Sequence, residues 1–288
     1  MGQHTTIASD ALTVEVADLG AEMQKITRAD GAELLWHGDA AFWTGRAPLL
    51  FPIVGPPVDG HVSIKGTRYE MAQHGFARRS IFALQDTGPD WCRHRLADSE
   101  DTRAAYPFAF TLDVTHRLDG ATLSVTVEVT NRDTMPMPFG FGFHPAFAWP
   151  LPGATGQHEI RLANGATPPV HRLHDNRVTK TPDPSPMTDG VLPLDHALFE
   201  ESALIFREGT GDRLSYSAAT GPTLDFHFEN LPYLGIWTKP GAPFLCIEPW
   251  HGIAPDEGAS DALTDRPGTI TLAPGATERF SWSLTVRG

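Results

Sequence analysis

The stretch Phe244-Leu245-Cys246-Ile247-Glu248-Pro249-Trp250-His251-Gly252 runs four apolar residues directly into a carboxylate. An uninterrupted apolar run of this kind is typical of a strand that is buried on both faces. Pro249 has no N–H to donate to a sheet, so we expect the strand to end there. Desolvating a carboxylate is costly unless nearby groups use its charge. By itself the stretch favours an ordinary solvated glutamate at a strand end, but the rest of the chain favours Glu248 at the mouth of a cavity that the sheet encloses.

The chain around this stretch has the pattern of short strands joined by turns. Asp119-Gly120 separates two runs rich in threonine and valine, 110–118 and 121–130, and predicts a β-hairpin. Residues 7–19 alternate between apolar and polar in the same way. Residues 48–55 contain prolines and are predicted to form an edge strand or a packed loop. Further strands are predicted at 203–207, 223–228, 233–238, 269–272 and 280–286.

The fold class follows from what these patterns share. No stretch keeps apolar residues at helical spacing over three turns. The 25 prolines and 27 glycines are spread along the chain, as expected for many turns. The sequence therefore predicts an all-β protein built as one large antiparallel β-sandwich, with residues 1–288 forming a single domain.

Composition excludes several classes of partner. The formal net charge is −13, which argues against nucleic acid and against an anionic membrane surface, because both require basic patches. The two cysteines, Cys92 and Cys246, indicate neither a disulfide framework nor a zinc site. Residues 1–10 lack the features of a signal peptide, and no apolar stretch reaches the ~18 residues of a membrane helix. We therefore expect a cytoplasmic protein, either a monomer or a homodimer.

Three segments place a histidine or a carboxylate among glycine, phenylalanine and proline: 73–78 with His74, 139–147 with His144, and the stretch with Glu248. Glycine lets a backbone approach a ligand closely, and aromatic rings offer a face on which a sugar stacks. A histidine held in such surroundings has the fixed orientation that proton transfer requires. Taken alone, each histidine is more often a core residue, and spacing does not show that the segments meet. One shared pocket is the hypothesis.

The segments His74-Gly75-Phe76-Ala77-Arg78, Phe143-His144-Pro145 and Cys246-Ile247-Glu248-Pro249-Trp250 resemble, in the same order, three signature segments of the aldose 1-epimerase (galactose mutarotase-like) family. Residues 48–55 and 234–240 are similar to segments of its bacterial branch, and the likeness covers nearly the whole chain. The resemblance implies a supersandwich whose concave face holds a sugar. It also implies an isomerase that interconverts α and β anomers through the open-chain aldehyde.

The resemblance assigns roles residue by residue. Glu248 matches the general base, His144 the general acid, and His74 a second histidine that contacts the sugar. Further sugar contacts are expected from two arginines and three aromatic residues, which are Arg46, Arg78, Phe143, Trp237 and Trp250.

The chemistry agrees with these roles. Ring opening removes a proton from the anomeric hydroxyl and delivers one to the ring oxygen, so we expect acid and base to face each other across the ring. A glutamate is ionised at neutral pH, and a nearby carboxylate favours protonated histidine, which predicts a resting imidazolium–carboxylate pair. No metal, nucleotide or redox cofactor is required.

Two positions depart from the family pattern. Pro56 stands where many members carry a sugar-binding arginine, and Ser202 stands where many carry an aspartate. Two alternatives therefore stay open beside a hexose or related aldose as substrate. One is a hexose-6-phosphate 1-epimerase, which the arginines Arg46, Arg78 and Arg79 would suit. The other is a protein that binds or senses a carbohydrate without turning it over.

Overall fold

Two large antiparallel sheets pack face to face in the computed structural model, which describes residues 3–288. In chain order the strands are β1 (His4–Ala8), β2 (Leu12–Ala17), β3 (Met23–Arg28), β4 (Leu49–Leu50), β5 (His61–Ile64), β6 (Thr67–Glu70), β7 (Ala83–Thr87), β8 (Trp91–Ala97), β9 (Phe110–Asp119), β10 (Thr122–Asn131), β11 (Met137–Phe139), β12 (Phe141–Phe143), β13 (Ala146–Ala148), β14 (Thr155–Leu162), β15 (Leu173–His174), β16 (Arg177–Val178), β17 (Val191–Pro193), β18 (Leu204–Phe206), β19 (Arg213–Thr220), β20 (Thr223–Glu229), β21 (Tyr233–Trp237), β22 (Phe244–His251), β23 (Ile270–Leu272) and β24 (Thr277–Arg287). The only α-helix in the part of the chain that the structure describes is α1 (Glu100–Ala105). Short 3-10 turns occupy Ala77–Arg79, His196–Phe199 and Leu263–Asp265. The predicted all-β sandwich is confirmed.

The larger sheet has nine strands in the order β17-β14-β19-β20-β24-β10-β9-β8-β7. It contains the hairpin of β9 and β10, where Leu123 pairs with Leu118 and Val127 pairs with Val114. Alternate residues of β10 are buried, as the valine–threonine alternation predicts. The hairpin predicted around Asp119-Gly120 is therefore confirmed, with ends within one residue of the expected ones.

The smaller sheet has the order β18-β21-β22-β12-β4, with β13 also paired to β22. Its inner face packs on the larger sheet: Phe147 of β13 meets Phe226 of β20 edge-on, with ring centroids 5.1 Å apart. One buried cluster contains residues of both sheets, including Leu245 and Ile247 of β22. The proline-containing residues 48–55 contribute only β4, which lies at the sheet edge as predicted.

Pro249 does not end its strand, and the expectation that it would is wrong. β22 continues to His251, and Pro249 pairs with Leu234 of β21. On the opposite side the neighbour changes at this point, because β13 pairs with residues 244–246 of β22 and β12 pairs with Trp250 and His251. The proline lies where this ladder switches strands, so its missing N–H interrupts no regular pairing.

Five strands of the large sheet were given no position by the sequence analysis: β7, β8, β14, β17 and β19. All five residues of β7 are exposed, so no apolar alternation marks it. Among residues 3–288, no helix is long and apolar enough to cross a membrane.

Candidate active site

Strand β22 carries Glu248 into a cleft on the face of the smaller sheet that points away from the sandwich core. Side chains alternate along a strand, so Cys246, Glu248 and Trp250 share this face while Leu245 and Ile247 pack into the core behind it. Glu248 is only 2% exposed. The strand therefore holds a carboxylate at the floor of the cleft with almost no contact with bulk solvent.

The indole of Trp250 lies over glycines of the two neighbouring strands. A Cβ atom added at Gly235 on β21 would meet the indole at 2.2 Å, and one added at Gly142 on β12 would meet it at 2.5 Å. Gly235 is also the residue paired with Glu248. The two glycines leave room for an aromatic surface beside the carboxylate.

His144 directly follows β12 and meets the carboxylate. Its Nε2 atom is 3.2 Å from Oε2 of Glu248. The ring of Trp43 stacks on the imidazole with a centroid distance of 4.8 Å, and Trp237 meets it edge-on at 5.9 Å. The aromatic rings fix the orientation of His144 and keep water away from the pair.

His74 reaches the same cleft from a tight turn. Its φ of +66° is in the left-handed region, and at Gly75 a Cβ atom would lie 2.1 Å from the carbonyl oxygen of Phe51. Gly55 donates its backbone N–H to Nδ1 of His74 at 3.0 Å. Because Nδ1 accepts, the ring proton is on Nε2. The rings of His74 and His144 meet edge-on, with centroids 5.7 Å apart.

The structure brings six of the eight predicted site residues to one cleft of about 440 Å³. They are Glu248, His144, His74, Arg78, Trp237 and Trp250. Sequence spacing gave no reason to expect Trp43, which also lines the cleft.

Phe143 and Arg46 lie outside this cleft, which corrects the expectation that they contact a sugar there. Phe143 is 3% exposed and packs edge-on against Phe141, with centroids 4.9 Å apart. It precedes His144 by one residue, so the alternation that points His144 at the cleft points Phe143 into the core. Arg46 instead donates from Nη1 to the side-chain oxygen of Gln24 at 2.8 Å.

Burial shifts the two members of the buried pair in opposite directions. It raises the pKa of the Glu248 carboxyl well above its usual range. It lowers the pKa of His144 well below its usual range, helped by the nearby His74 and Arg78. Both shifts run against the expected resting imidazolium beside a fully ionised carboxylate, because burial disfavours the charged form of each group. Burial, with Arg78 and Arg266 nearby, lowers the pKa of His74 to about 3, so that ring is neutral at pH 7.

Arg266 supports the cleft from behind and was missed by sequence reasoning. It is 6% exposed and donates to the backbone carbonyls of Val54, Pro56 and Ile253. Burial, and then Arg177, lowers its pKa to about 9, which still leaves it charged at pH 7. It holds the segment whose Gly55 N–H sets the tautomer of His74. A lone arginine in a polar loop gives no sequence signal for such a role.

The two departures from the family pattern both line the cleft. Pro56 brings no side-chain donor there. The hydroxyl of Ser202 accepts the backbone N–H of Leu173 at 3.0 Å, so it ties two loop segments together. His144 and Glu248 of the cleft form, with the fully buried Cys246, a group of side chains that could hold a metal ion, because their ligand atoms lie within 4.8 Å of one another.

The chain is similar to known proteins along nearly its whole length. Residues 3–280 match the family model described as Aldose 1-epimerase. Protein LacX (plasmid) of Lactococcus lactis subsp. lactis is 27% identical over 298 residues, which covers 97% of this chain and 98% of LacX. A galactose mutarotase related enzyme of Lactobacillus acidophilus has a similar structure, with a TM-score of 0.93 and 29% identity over 99% of this chain and 98% of that one. A galactose mutarotase-like protein of Lactobacillus casei has a TM-score of 0.91 and 28% identity, over 99% of this chain and 100% of that one.

Arg266→Met should lower the free energy of unfolding, measured by denaturant titration at pH 7, by about 3 kcal/mol. Each buried carbonyl left without a donor costs ~1–3 kcal/mol, and three carbonyls lose one here. Arg213→Met removes an exposed arginine of β19 and serves as the control, with an expected change within about 0.5 kcal/mol. Equal effects of the two substitutions would contradict the role given to Arg266.

Proposed function

The chain belongs to the aldose 1-epimerase family, and on that premise we propose that it interconverts the α and β anomers of an aldose by acid–base ring opening. Glu248 is the general base and His144 the general acid. The observation that carries this proposal is the 3.2 Å contact between Nε2 of His144 and Oε2 of Glu248 in an aromatic-walled cleft.

Ring opening transfers two protons around one carbon atom. Glu248 takes the proton of the anomeric hydroxyl while His144 gives a proton to the ring oxygen. The bond between the anomeric carbon and the ring oxygen breaks, and an open-chain aldehyde forms. The oxygen of the anomeric hydroxyl and the ring oxygen are both bonded to the anomeric carbon. An acid and a base in direct contact therefore reach the two oxygens together, and they do not need to face each other across the ring. After rotation next to the aldehyde, the reverse transfers close the ring on either face.

The shared proton of the pair suits this step. Ring opening converts imidazolium and carboxylate into imidazole and carboxylic acid, which together hold the same number of protons. Burial raises the pKa of Glu248 and lowers that of His144, so it brings these two forms closer in free energy. Proton transfer is most effective when the affinities of donor and acceptor are matched. The proposed step calls for no metal, nucleotide or redox cofactor.

The other residues of the cleft bind and orient the sugar in this proposal. His74 is neutral with its proton on Nε2, so it donates to a sugar oxygen without competing for the catalytic proton. Trp250 and Trp237 offer ring faces and edges to the apolar side of a pyranose. Arg78 contributes a charged donor in place of the arginine that Pro56 replaces.

Glu248→Gln should lower kcat/KM for the mutarotation of freshly dissolved α-glucose or α-galactose, followed by polarimetry, by roughly 10²–10⁴-fold. The amide keeps the shape of the side chain but does not accept the proton. His251→Asn is the matched control on the same strand, because its ring is engaged with the Asn230 carbonyl and does not line the cleft. A Glu248→Gln enzyme as fast as the wild type contradicts the assignment of the base. Sugar binding by calorimetry together with an unaccelerated wild-type reaction points to a non-catalytic binding protein instead.

The pH profile of kcat/KM should reflect the pair as a unit. Because the pKa of His144 is lowered, the pair takes up no second proton as the pH falls from 7 through 6.5, and the rate is maintained there. The pKa of Glu248 is raised above its ordinary value of 4.5. The pair therefore keeps its proton to a higher pH than an ordinary glutamate would, and activity declines only when a further rise in pH removes that proton. A rate that instead changes on acidification through pH 6.5 indicates that His144 takes up a proton there with an ordinary pKa, and it rules out this description.

A phosphorylated aldose is the second candidate substrate, because Arg78 and Arg79 both line the cleft. Guanidinium groups suit phosphate oxygens in charge and geometry. If the substrate is phosphorylated, kcat/KM for glucose 6-phosphate should exceed kcat/KM for glucose. Arg79→Met should then reduce kcat/KM for glucose 6-phosphate and leave kcat/KM for glucose unchanged. Equal rates for the two sugars, unaffected by Arg79→Met, exclude this candidate.

A further inference from the structure

A second group of side chains that commonly bind metals lies inside the sandwich, and none of its members lines the cleft. Cys92 and His94 are two residues apart on β8, so they point to the same face of the large sheet. His116 lies directly opposite Cys92 on the neighbouring strand β9. Cys92 and His94 are fully buried, and His116 is 2% exposed. Strand pairing thus brings a thiol and two imidazoles together in the core.

The histidine nitrogens of this cluster have unmet bonding capacity. Neither ring nitrogen of His94, nor Nδ1 of His116, has a hydrogen-bond partner among residues 3–288. Most buried side-chain nitrogens in proteins have a partner, since leaving one unpaired costs ~1–3 kcal/mol. One nitrogen of each neutral ring carries a lone pair and the other carries the proton, so these unpaired nitrogens indicate a ligand that accepts one lone pair from each ring.

The arrangement of the atoms suits a small cation. One ligand atom each from Cys92, His94 and His116 lies within 4.8 Å of the others. A fourth donor is nearby, because Oδ1 of Asp18 is 3.5 Å from Nε2 of His94, longer than an ordinary hydrogen bond. Ligand atoms around tetrahedral zinc are separated by roughly 3.3–3.8 Å, given bond lengths of about 2.0–2.3 Å. Cys92, His94 and His116 are already grouped near that spacing, whereas Asp18 lies outside the group and has to turn its carboxylate toward it to complete the set.

We propose that Cys92, His94, His116 and Asp18 form a structural zinc site that joins β8 and β9 to the turn after β2. One thiolate and one carboxylate offset the two positive charges of the ion, and neutral imidazoles complete the shell. Such a set leaves no net charge in the core. The sequence predicted no zinc site, because its cysteine and histidines are brought together by strand pairing and not by a short motif.

The protonation of the ligands sets the conditions for binding. Burial lowers the pKa of His116 to about 3 and also lowers that of His94, so both rings offer lone pairs at pH 7. Burial raises the pKa of Cys92 to about 12, so zinc must displace the thiol proton. Zinc affinity should therefore increase with pH. The competing occupant of the cluster is a buried water molecule.

The test is the zinc content of the full-length, tag-free protein, expressed with zinc in the medium, desalted and measured by plasma mass spectrometry. We expect about one zinc ion per chain in the wild type and a reduction of roughly tenfold or more in Cys92→Ala. Cys246→Ala is the matched control, because it removes the buried thiol of the other candidate cluster beside Glu248 and should keep its zinc. Zinc that is lost in Cys246→Ala and kept in Cys92→Ala belongs to the cleft and overturns the proposal.

Two measurements on folded protein keep the test decisive if Cys92→Ala does not fold. Protein expressed with cobalt in place of zinc should show a thiolate-to-cobalt charge-transfer band that Cys246→Ala retains. Protein prepared without metal should gain roughly 5 °C in Tm when free zinc exceeds its Kd about a hundredfold. Wild-type protein that is folded, holds less than about a tenth of an equivalent of zinc and shows neither effect contains water at this position, and the proposal is then wrong.

Discussion

A buried contact between an imidazole and a carboxylate governs how the cleft is built. Nε2 of His144 lies 3.2 Å from Oε2 of Glu248, although both residues are more than nine-tenths buried. Two ionisable groups tolerate such burial when they share a proton, because the total charge of the pair is the same whichever group holds it. The walls around them must be apolar and rigid, and Trp43 and Trp237 supply both properties. A solvent-filled cleft would return each group to its ordinary pKa.

The surrounding backbone is arranged to hold that contact. β12 and β22 are neighbours in the smaller sheet, so the end of one strand brings His144 next to the middle of the other. Gly142 and Gly235 leave the volume that the indole of Trp250 fills beside the carboxylate. Behind the cleft, Arg266 anchors the segment that presents Gly55 to His74. The contact between His144 and Glu248 and the packing of Trp250 thus follow from the pairing of β12, β21 and β22, and Arg266 supports the segment beside them.

Predictions from sequence succeeded where the relevant information is local. The alternation of valine and threonine gives the β9–β10 hairpin, because side-chain direction repeats every two residues. The apolar run before Glu248 gives a buried strand. Local patterns failed at Pro249, since only the neighbouring strands show that the ladder changes there. They also failed for Phe143 and Arg46, because proximity in sequence to a site residue does not determine which face a side chain occupies.

The amino-acid sequence alone was enough for the fold class and for singling out Glu248, His144 and His74, because strand periodicity and short motifs consist of consecutive residues. Tertiary structure was needed for the 3.2 Å contact, the opposed pKa shifts of Glu248 and His144, the support from Arg266, and the cluster around His116. Each of these features joins residues that are distant along the chain. Their distances and their shielding from water come into existence only when strands far apart in sequence pair and pack.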